Sequence, residues 1–334
     1  MKIFREHCSH ARALFQVCID EDAEIVVYAD DNTPSTAAED AIDLQYKVQK
    51  EADCVTTWFK KNDMICSSDK TKLLVIATSM NRSLKLEKEN KVLSVDVCGE
   101  KKNESISEKL LGITVNNQAT WKNHYYGDEE NQGMMKQLSK RIGMLKQIRR
   151  YISDQRFKLI LNGLFTSKLI YGITVWGAVW GIPGDMDVEN RRSISTTKED
   201  MRKLQVLQNK ALRLYLRKPY DTPTSTLLLL GNQLSVHQLV AYHSAVQVFK
   251  IKESQKPSYH YERLFSRSQS TRSLTSITDA NRIDYELALA RNSFFYQASR
   301  IWNSLPQSIK LSKNVNIFKS SCKTWVKMNI AMRP

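Results

Sequence analysis

No run in this 334-residue chain stays apolar for the roughly 18 residues that a membrane-crossing helix needs. The first residues, Met1-Lys2-Ile3-Phe4-Arg5-Glu6-His7-Cys8, lack the apolar stretch of a signal peptide. Six cysteines (8, 18, 54, 66, 98 and 322) form no C-x-x-C pair, which argues against a disulfide framework and for free thiols in a reducing compartment. His7, Cys8, His10 and Cys18 match no common zinc spacing. Also missing are a glycine-rich phosphate loop, a G-x-S-x-G elbow, an H-E-x-x-H pair and any internal repeat. Those absences remove the common nucleotidase, hydrolase and metalloprotease classes. They leave the expectation of an intracellular protein, nuclear or cytoplasmic, that is neither secreted nor transmembrane. At this length two or three domains are expected.

Charge is abundant and uneven. The net charge is +15. Residues 1–60 carry twelve acidic and six basic side chains, and residues 136–218 carry eighteen basic and six acidic ones. An acidic segment followed by a strongly basic one suits a metal centre beside a polyanion track. Solvated helix faces are the plainer reading of the same numbers.

The acidic segment contains Glu24-Ile25-Val26-Val27-Tyr28-Ala29-Asp30-Asp31. Its β-branched run predicts a buried strand over 24–29 that ends in two carboxylates. Successive strand side chains point apart, so Asp30 and Asp31 converge only where the strand breaks into a turn. Converging carboxylates repel unless a cation lies between them, and oxygen ligands suit Mg²⁺ or Mn²⁺. An acidic turn after a core strand is the alternative.

Downstream, Thr33-Pro34-Ser35-Thr36 looks like a breaker and cap cluster before a helix over roughly 36–61. Its apolar residues Ala37, Ala41, Leu44, Val48, Ala52 and Val55, with Trp58 or Phe59, recur every three or four positions. Strands are predicted at Leu73–Thr78, Ser83–Leu86, Val92–Val97 and Leu110–Val115. Together they give an α+β arrangement with a helix on an antiparallel sheet. From Trp121 the pattern turns helical. Met135, Leu138, Ile142, Leu145, Ile148 and Ile152 form a stripe, with Lys136, Lys140, Arg141, Lys146, Arg149 and Arg150 around it. Ser153 is placed to cap a second helix bearing Phe157, Ile160, Leu161, Leu164 and Phe165. Residues 181–198 are predicted to be a linker. A third helix near 199–217 carries Arg202, Lys203, Lys210, Arg213 and Arg217. Ser235 is predicted to cap a fourth, in which His237 and His243, six apart, are ordinary helix residues. Residues 265–283 are expected to be exposed loop, and Pro306 to stop a final helix.

The order of these motifs resembles the reverse transcriptases of non-LTR retrotransposons, the jockey-like elements, over about residues 24–320. Tyr28-Ala29-Asp30-Asp31 resembles the catalytic hairpin of the palm. Trp58-Phe59-Lys60-Lys61-Asn62 with Asp69-Lys70-Thr71 is similar to the "W…N…KT" motif, and Glu108-Lys109-Leu110-Leu111-Gly112-Ile113 to the primer grip. Trp121 and His124 match the "W..H" that follows. Leu138–Leu145, Phe165–Trp176 with Tyr171-Gly172, Leu204-Gln205 with Ala211-Leu212-Arg213, and Trp302-Asn303-Ser304-Leu305-Pro306 continue in family order.

The resemblance implies a partial palm over 24–118, a helical thumb over 119–180 and a helical C-terminal region over 199–334, after a lead-in over 1–23. It implies an RNA-directed DNA polymerase with an RNA template, a DNA primer or duplex, dNTP and paired Mg²⁺ ions about 3.5–4 Å apart. Asp30 would be a main metal ligand and Asp31 its neighbour. Tyr28, Lys70, Lys109, Leu110, Leu111 and Gly112 would position primer and substrate, and the basic helices of 134–218 would hold the duplex.

Four departures stand out. The family places another catalytic Asp on a separate palm strand, but only 27 residues precede Tyr28 here. The fingers are missing, Pro34 falls on the hairpin's return strand, and Ser67 stands where the family has Asn. The expectation is therefore a chain that does not polymerise by itself. A basic RNA- or DNA-binding module without catalysis and a degenerate transposon fragment remain open beside it.

Overall fold

An acidic N-cap and a four-residue apolar period suffice to start the helix on which the first third of the chain is built. The computed structural model describes residues 24–28, 31–77, 93–180, 182, 196–265 and 294–332. The lead-in, the zinc candidates His7, Cys8, His10 and Cys18, the Ser83–Leu86 run, Asp30, nearly all of the 181–198 linker and all but Phe265 of the 265–283 loop lie outside the described residues. The chain divides at Ala119–Thr120 into two compact units. It is α+β and mostly helical, with small antiparallel ribbons.

In the first unit, β1 (Glu24–Tyr28) pairs antiparallel with β2 (Asp31–Ser35), with Tyr28 opposite Asp31. Pro34 was expected to break this segment, yet it lies in β2 opposite Ile25. A two-stranded ribbon has no third strand for β2 to donate to, so a residue without an N–H is accommodated on its outer side. The strand is not wholly buried either. Ile25 is buried and Val26 exposed, the alternation of a half-buried ribbon.

Helix α1 runs over Ala41–Lys61, later than the predicted start at 36. Its N-cap is Asp40, whose carboxylate accepts from Asp43 N at 2.8 Å, while residues 36–40 stay outside the helix. Near its C-terminal end Trp58 packs on Ile25, with Cys54, Phe59 and Met64 around them. At its N-terminal end Ala41 packs with Val75 and Leu93.

Two further ribbons follow, β3 (Ser94–Val97) with β4 (Glu100–Asn103), and β5 (Ser107–Leu110) with β6 (Ile113–Asn116). Among the described residues, then, the expected sheet is three separate ribbons. The Leu73–Thr78 run forms no strand over its described residues, 73–77. It is an extended tie in which Leu73 O accepts from Ser105 N at 2.8 Å and Ala77 N donates to Asn117 O at 3.0 Å.

The free edge of β3 is covered by side chains. Gln45 and Gln49, one turn apart on α1, each present an amide to it. Ser94 N donates to Gln45 Oε1 at 3.1 Å, Asp96 N to Gln49 Oε1 at 2.9 Å, and both glutamine amides donate back to the same residues' carbonyls. The two side chains do what a neighbouring strand would do and blunt an aggregation-prone edge.

Leu110–Val115, predicted as one strand, is the tip of the β5–β6 hairpin. Leu111 (φ 47°) and Gly112 (φ 82°) make its two-residue turn, as Cys98 (φ 55°) and Gly99 (φ 84°) do between β3 and β4. Positive φ at both central positions is the type I′ turn that suits right-twisted strands. A leucine there is strained by about 1–2 kcal/mol. Leu111→Asn is expected to raise the stability of the first unit by about 1 kcal/mol. Thermal denaturation checks it, and an unchanged or lower midpoint would count against the strain.

The second unit is helical: α2 (Lys122–Tyr126), α3 (Met134–Ile148), α4 (Asp154–Leu161), a π-helical turn at Asn162–Thr166, α5 (Ser167–Ile170), α6 (Ile173–Trp176), α7 (Lys198–Leu216), α8 (Thr224–Gly231), α9 (Val236–Ser254), α10 (Ser258–Phe265), α11 (Phe294–Ser304), α12 (Gln307–Lys310) and α13 (Val315–Asn329). Residues from the expected thumb and from the expected C-terminal region share one hydrophobic cluster, from Tyr125 and Leu138 to Trp302 and Phe318. Its hub is α9, apolar on most sides and buried along most of its length.

Capping boxes start α7 (Thr197 with Asp200) and α9 (Ser235 with Gln238). A buried amide network fixes their register. Gln205 donates to Gln208 and Asn209 at 2.9 Å each and accepts from Val236 N, while Asn209 donates to Thr224 Oγ1 at 2.8 Å. Gln205→Leu leaves Val236 N–H without an acceptor and is expected to lower stability by about 2 kcal/mol. Chemical denaturation measures it, and a neutral result would show that the network is dispensable.

Candidate nucleic-acid interface and carboxylate hairpin

Tyr28 and Asp31 pair at the closed end of the β1–β2 ribbon, where the chain passes from one strand to the other. Both side chains are exposed, Tyr28 at 63%. Lys70 is exposed at the end of a 3₁₀ turn (Ser68–Lys70). That turn is tied toward β4 through Glu100, whose carboxyl is held below its usual range by hydrogen bonds from Lys102 first and Ser68 second. Among the described residues no hydrogen bond or ion pair joins Asp31 to Lys70. The hairpin carrying Lys109, Leu110, Leu111 and Gly112 leaves Lys109 and both leucines exposed at its tip. Its anchor, the 73–77 tie, packs at the N-terminal end of α1, whereas the carboxylate hairpin packs about 25 Å away along that helix, near Trp58.

A divalent cation such as Mg²⁺ takes six oxygen ligands, and a protein that holds it in place usually supplies several. Among the described residues no group of three or more His, Cys, Asp or Glu side chains gathers in a way that could hold a metal ion. Asp30, the other expected ligand, lies outside the described residues.

The basic helices divide into two sorts of side chain. On α3, Met134, Leu138 and Leu145 are buried. At 100° per residue Lys136, Lys140 and, two residues past the helix end, Arg150 lie on the opposite, exposed face, with Lys146 beside them. Lys210 is exposed on α7. Arg202 on the same helix makes a bidentate pair with Glu199, at 2.7 and 2.8 Å. Lys203 donates to the Tyr126 hydroxyl at 3.0 Å and lies over its ring.

Three arginines expected on the phosphate-facing surface instead turn inward. Arg149 is only 7% exposed. Its guanidinium donates to Leu214 O at 2.7 Å, Tyr215 O at 2.9 Å, Ile152 O and the Asp154 carboxylate, and it lies 4.6 Å from the Phe157 ring centre. Leu214 and Tyr215 belong to the last turn of α7, whose carbonyls have no partner within the helix, so Arg149 serves as its cap. Arg141 donates to Leu164 O in the π-helical turn, and Arg213 to Thr222 O at 3.0 Å with Tyr220 under its guanidinium. All three therefore hold the fold together.

Comparison with protein-family models, curated proteins and solved structures finds no match.

Of Trp121 and His124, which resemble the "W..H" pattern, Trp121 is half-buried against the hydrophobic cluster and His124 packs on one of its rings. His124 is buried with its ring 6.1 Å from that of Trp176, and burial first, then Lys168, pushes its pKa down to about 4. Trp302 and Leu305 are buried as well, and Pro306 ends α11 and caps α12. Absent from the expected set are Lys158 on α4 and Lys319, Lys323 and Lys327 on α13. For the three on α13 the spacing of four was the signal available in the sequence. No helix among the described residues is long and apolar enough to cross a membrane.

Proposed function

We propose that this chain is a nucleic-acid-binding relative of non-LTR retrotransposon reverse transcriptases that does not polymerise DNA by itself. The observation that carries the binding is the exposed face of α3, where Lys136, Lys140 and Arg150 line up opposite the buried stripe. Aligned lysines on a rigid helix neutralise successive phosphates and release their counterions, so affinity depends on charge more than on sequence. RNA template and DNA primer or duplex are the partners that the motif order favours. A palm hairpin, a thumb and a primer grip are the roles it favours for β1–β2, for α2 to α6 and for β5–β6.

Two measurements test the reading. Affinity for a short RNA–DNA duplex should fall steeply with salt, and K136Q/K140Q/K210Q together should flatten the log–log slope by about 2–3. A wild-type slope near zero overturns it. Primer extension on an RNA template with Mg²⁺ or Mn²⁺ and dNTP should give no product. Synthesis abolished by Asp30→Ala or Asp31→Ala would show that the chain is a working polymerase.

A further inference from the structure

Three buried residues of α13, Phe318, Cys322 and Val326, are each followed by a lysine. Lys319, Lys323 and Lys327 therefore run as a ridge along one flank of the core-facing side, where α13 packs on α9. Four helical residues rise about 6 Å, so the ammonium groups repeat at roughly that interval. Lys319 and Lys323 are half-buried and Lys327 is exposed, which places aliphatic stems in the seam and charges at its rim.

The surroundings add positive charge. Lys327 Nζ donates to Asn232 Oδ1 at 2.7 Å, and Lys323 Nζ reaches Asn232 O at 3.4 Å. Burial first, then Lys327 and Lys158 of α4, holds Lys323 below its usual range. His243 on α9 is likewise lowered, by burial first and then by Lys250 and Lys319. Among the described residues no ion pair neutralises Lys158, Lys250, Lys319, Lys323 or Lys327. Lys158 of α4 thus adds its charge beside Lys323, and Lys250 of α9 adds its charge with Lys319 beside His243. Like charges so placed repel one another, and an anion bound along them relieves that repulsion.

We propose that the Lys319–Lys323–Lys327 ridge, with Lys158 and Lys250 at its flanks, is a second phosphodiester-binding track of the helical unit. It lies on helices other than the α3–α7 surface, and this rests on the nucleic-acid reading above. The repeat favours a polymer over a single phosphate, because three evenly spaced cations match a chain of charges. Lysine ammonium groups are point-charge partners for phosphate, and they require no fixed base sequence. The ridge predicts that bound RNA makes contacts along the C-terminal helix as well as along α3.

Salt titrations of the full chain, from about 50 to 200 mM, with a short single-stranded RNA and with an RNA–DNA duplex test this. K319Q/K323Q/K327Q should flatten the slope by about 2 and weaken binding by roughly tenfold or more, while K319R/K323R/K327R should keep both. The loss should be separate from that of K136Q/K140Q/K210Q. A ridge variant with the wild-type slope and the wild-type melting temperature overturns the track and leaves the α3–α7 reading standing. A wild-type slope near zero overturns both. Binding of poly-glutamate through the ridge without RNA binding would assign it to an acidic protein and overturn the proposal. If the glutamine variant fails to fold, the exposed single substitution Lys327→Glu carries the same test, with a slope reduction of about 1 or more expected.

Discussion

Replacing Arg149 with methionine is expected to lower the stability of the helical unit by about 3 kcal/mol, roughly a 6–12 °C fall in melting temperature for a unit of this size. The side chain keeps its volume, so the loss isolates the guanidinium. Two carbonyls in the last turn of α7, Leu214 O and Tyr215 O, lose their donor, as does Ile152 O in the connection after α3. The stack of Phe157 on Tyr215, with ring centres 6.4 Å apart and planes 5° from parallel, loses the cation packed on it. Asp154 adds less, because its carboxylate is exposed. The neighbouring Arg150→Gln provides the contrast. It should change stability by less than about 0.5 kcal/mol yet reduce the salt slope of nucleic-acid binding by about 1. Calorimetry and salt titration on the two variants check both halves. An Arg149→Met protein that melts with the wild type and loses salt dependence would return Arg149 to the binding surface.

Adjacent arginines with opposite fates mark where sequence pattern stopped being informative. The apolar stripe of α3 was legible because a 3.6-residue period needs no partner to be seen. Ser235 and Pro306 were legible for a similar reason, since caps and stops act on their own backbone. Which of two basic neighbours turns inward depends on an acceptor 65 residues away, the α7 carbonyls, and no local signal carries that.

The ribbons failed differently. Leu111-Gly112 and Cys98-Gly99 are type I′ turns written with leucine and cysteine in place of asparagine, so the turn signal was reduced to one glycine each. Leu73–Ala77 has strand composition but no neighbouring strand among the described residues. Its hydrogen bonds go to residues flanking two different ribbons, at Ser105 and Asn117. The β3 edge is satisfied by Gln45 and Gln49, a pairing between a helix and a strand that no periodicity announces. In the carboxylate hairpin β1 ends at Tyr28, one residue short of the expected 24–29 strand, and Asp31-Asn32, expected to turn, instead begins β2, while Pro34 was tolerated because β2 is an edge.

The histidines of the helical unit lead to an expected loss of stability in mild acid. His237 is 1% exposed at the start of α9. Its Nε2 accepts from Trp180 N at 2.6 Å, which assigns the proton to Nδ1 and makes that nitrogen the donor to Ala331 O at 3.2 Å. Protonation of Nε2 would abolish the acceptor and bury a charge. Burial accordingly pushes the pKa of His237 down to about 4, the Ala331 carbonyl opposing that shift and Lys198 adding to it. His124 is also pushed down to about 4.

Both folded-state values lie below the unfolded value of about 6.5, so the unfolded chain binds more protons between the two. The contribution to stability is complete above about pH 6.5 and is lost as the pH falls toward 4, at about 3 kcal/mol for each histidine. The carboxylates with lowered values, Glu100, Glu199 and Asp154, begin to act only below about pH 4.5, so the upper part of the window belongs to the histidines. Denaturant unfolding from pH 7.5 to 4.5 should show this slope, and His237→Gln, which keeps an acceptor for Trp180 N, should remove about half of it. A wild-type stability flat between pH 6.5 and 4.5 would mean that these rings reach water before the fold gives way. In that case the junction of Trp180, α9 and Ala331 would open more readily than its hydrogen bonds suggest.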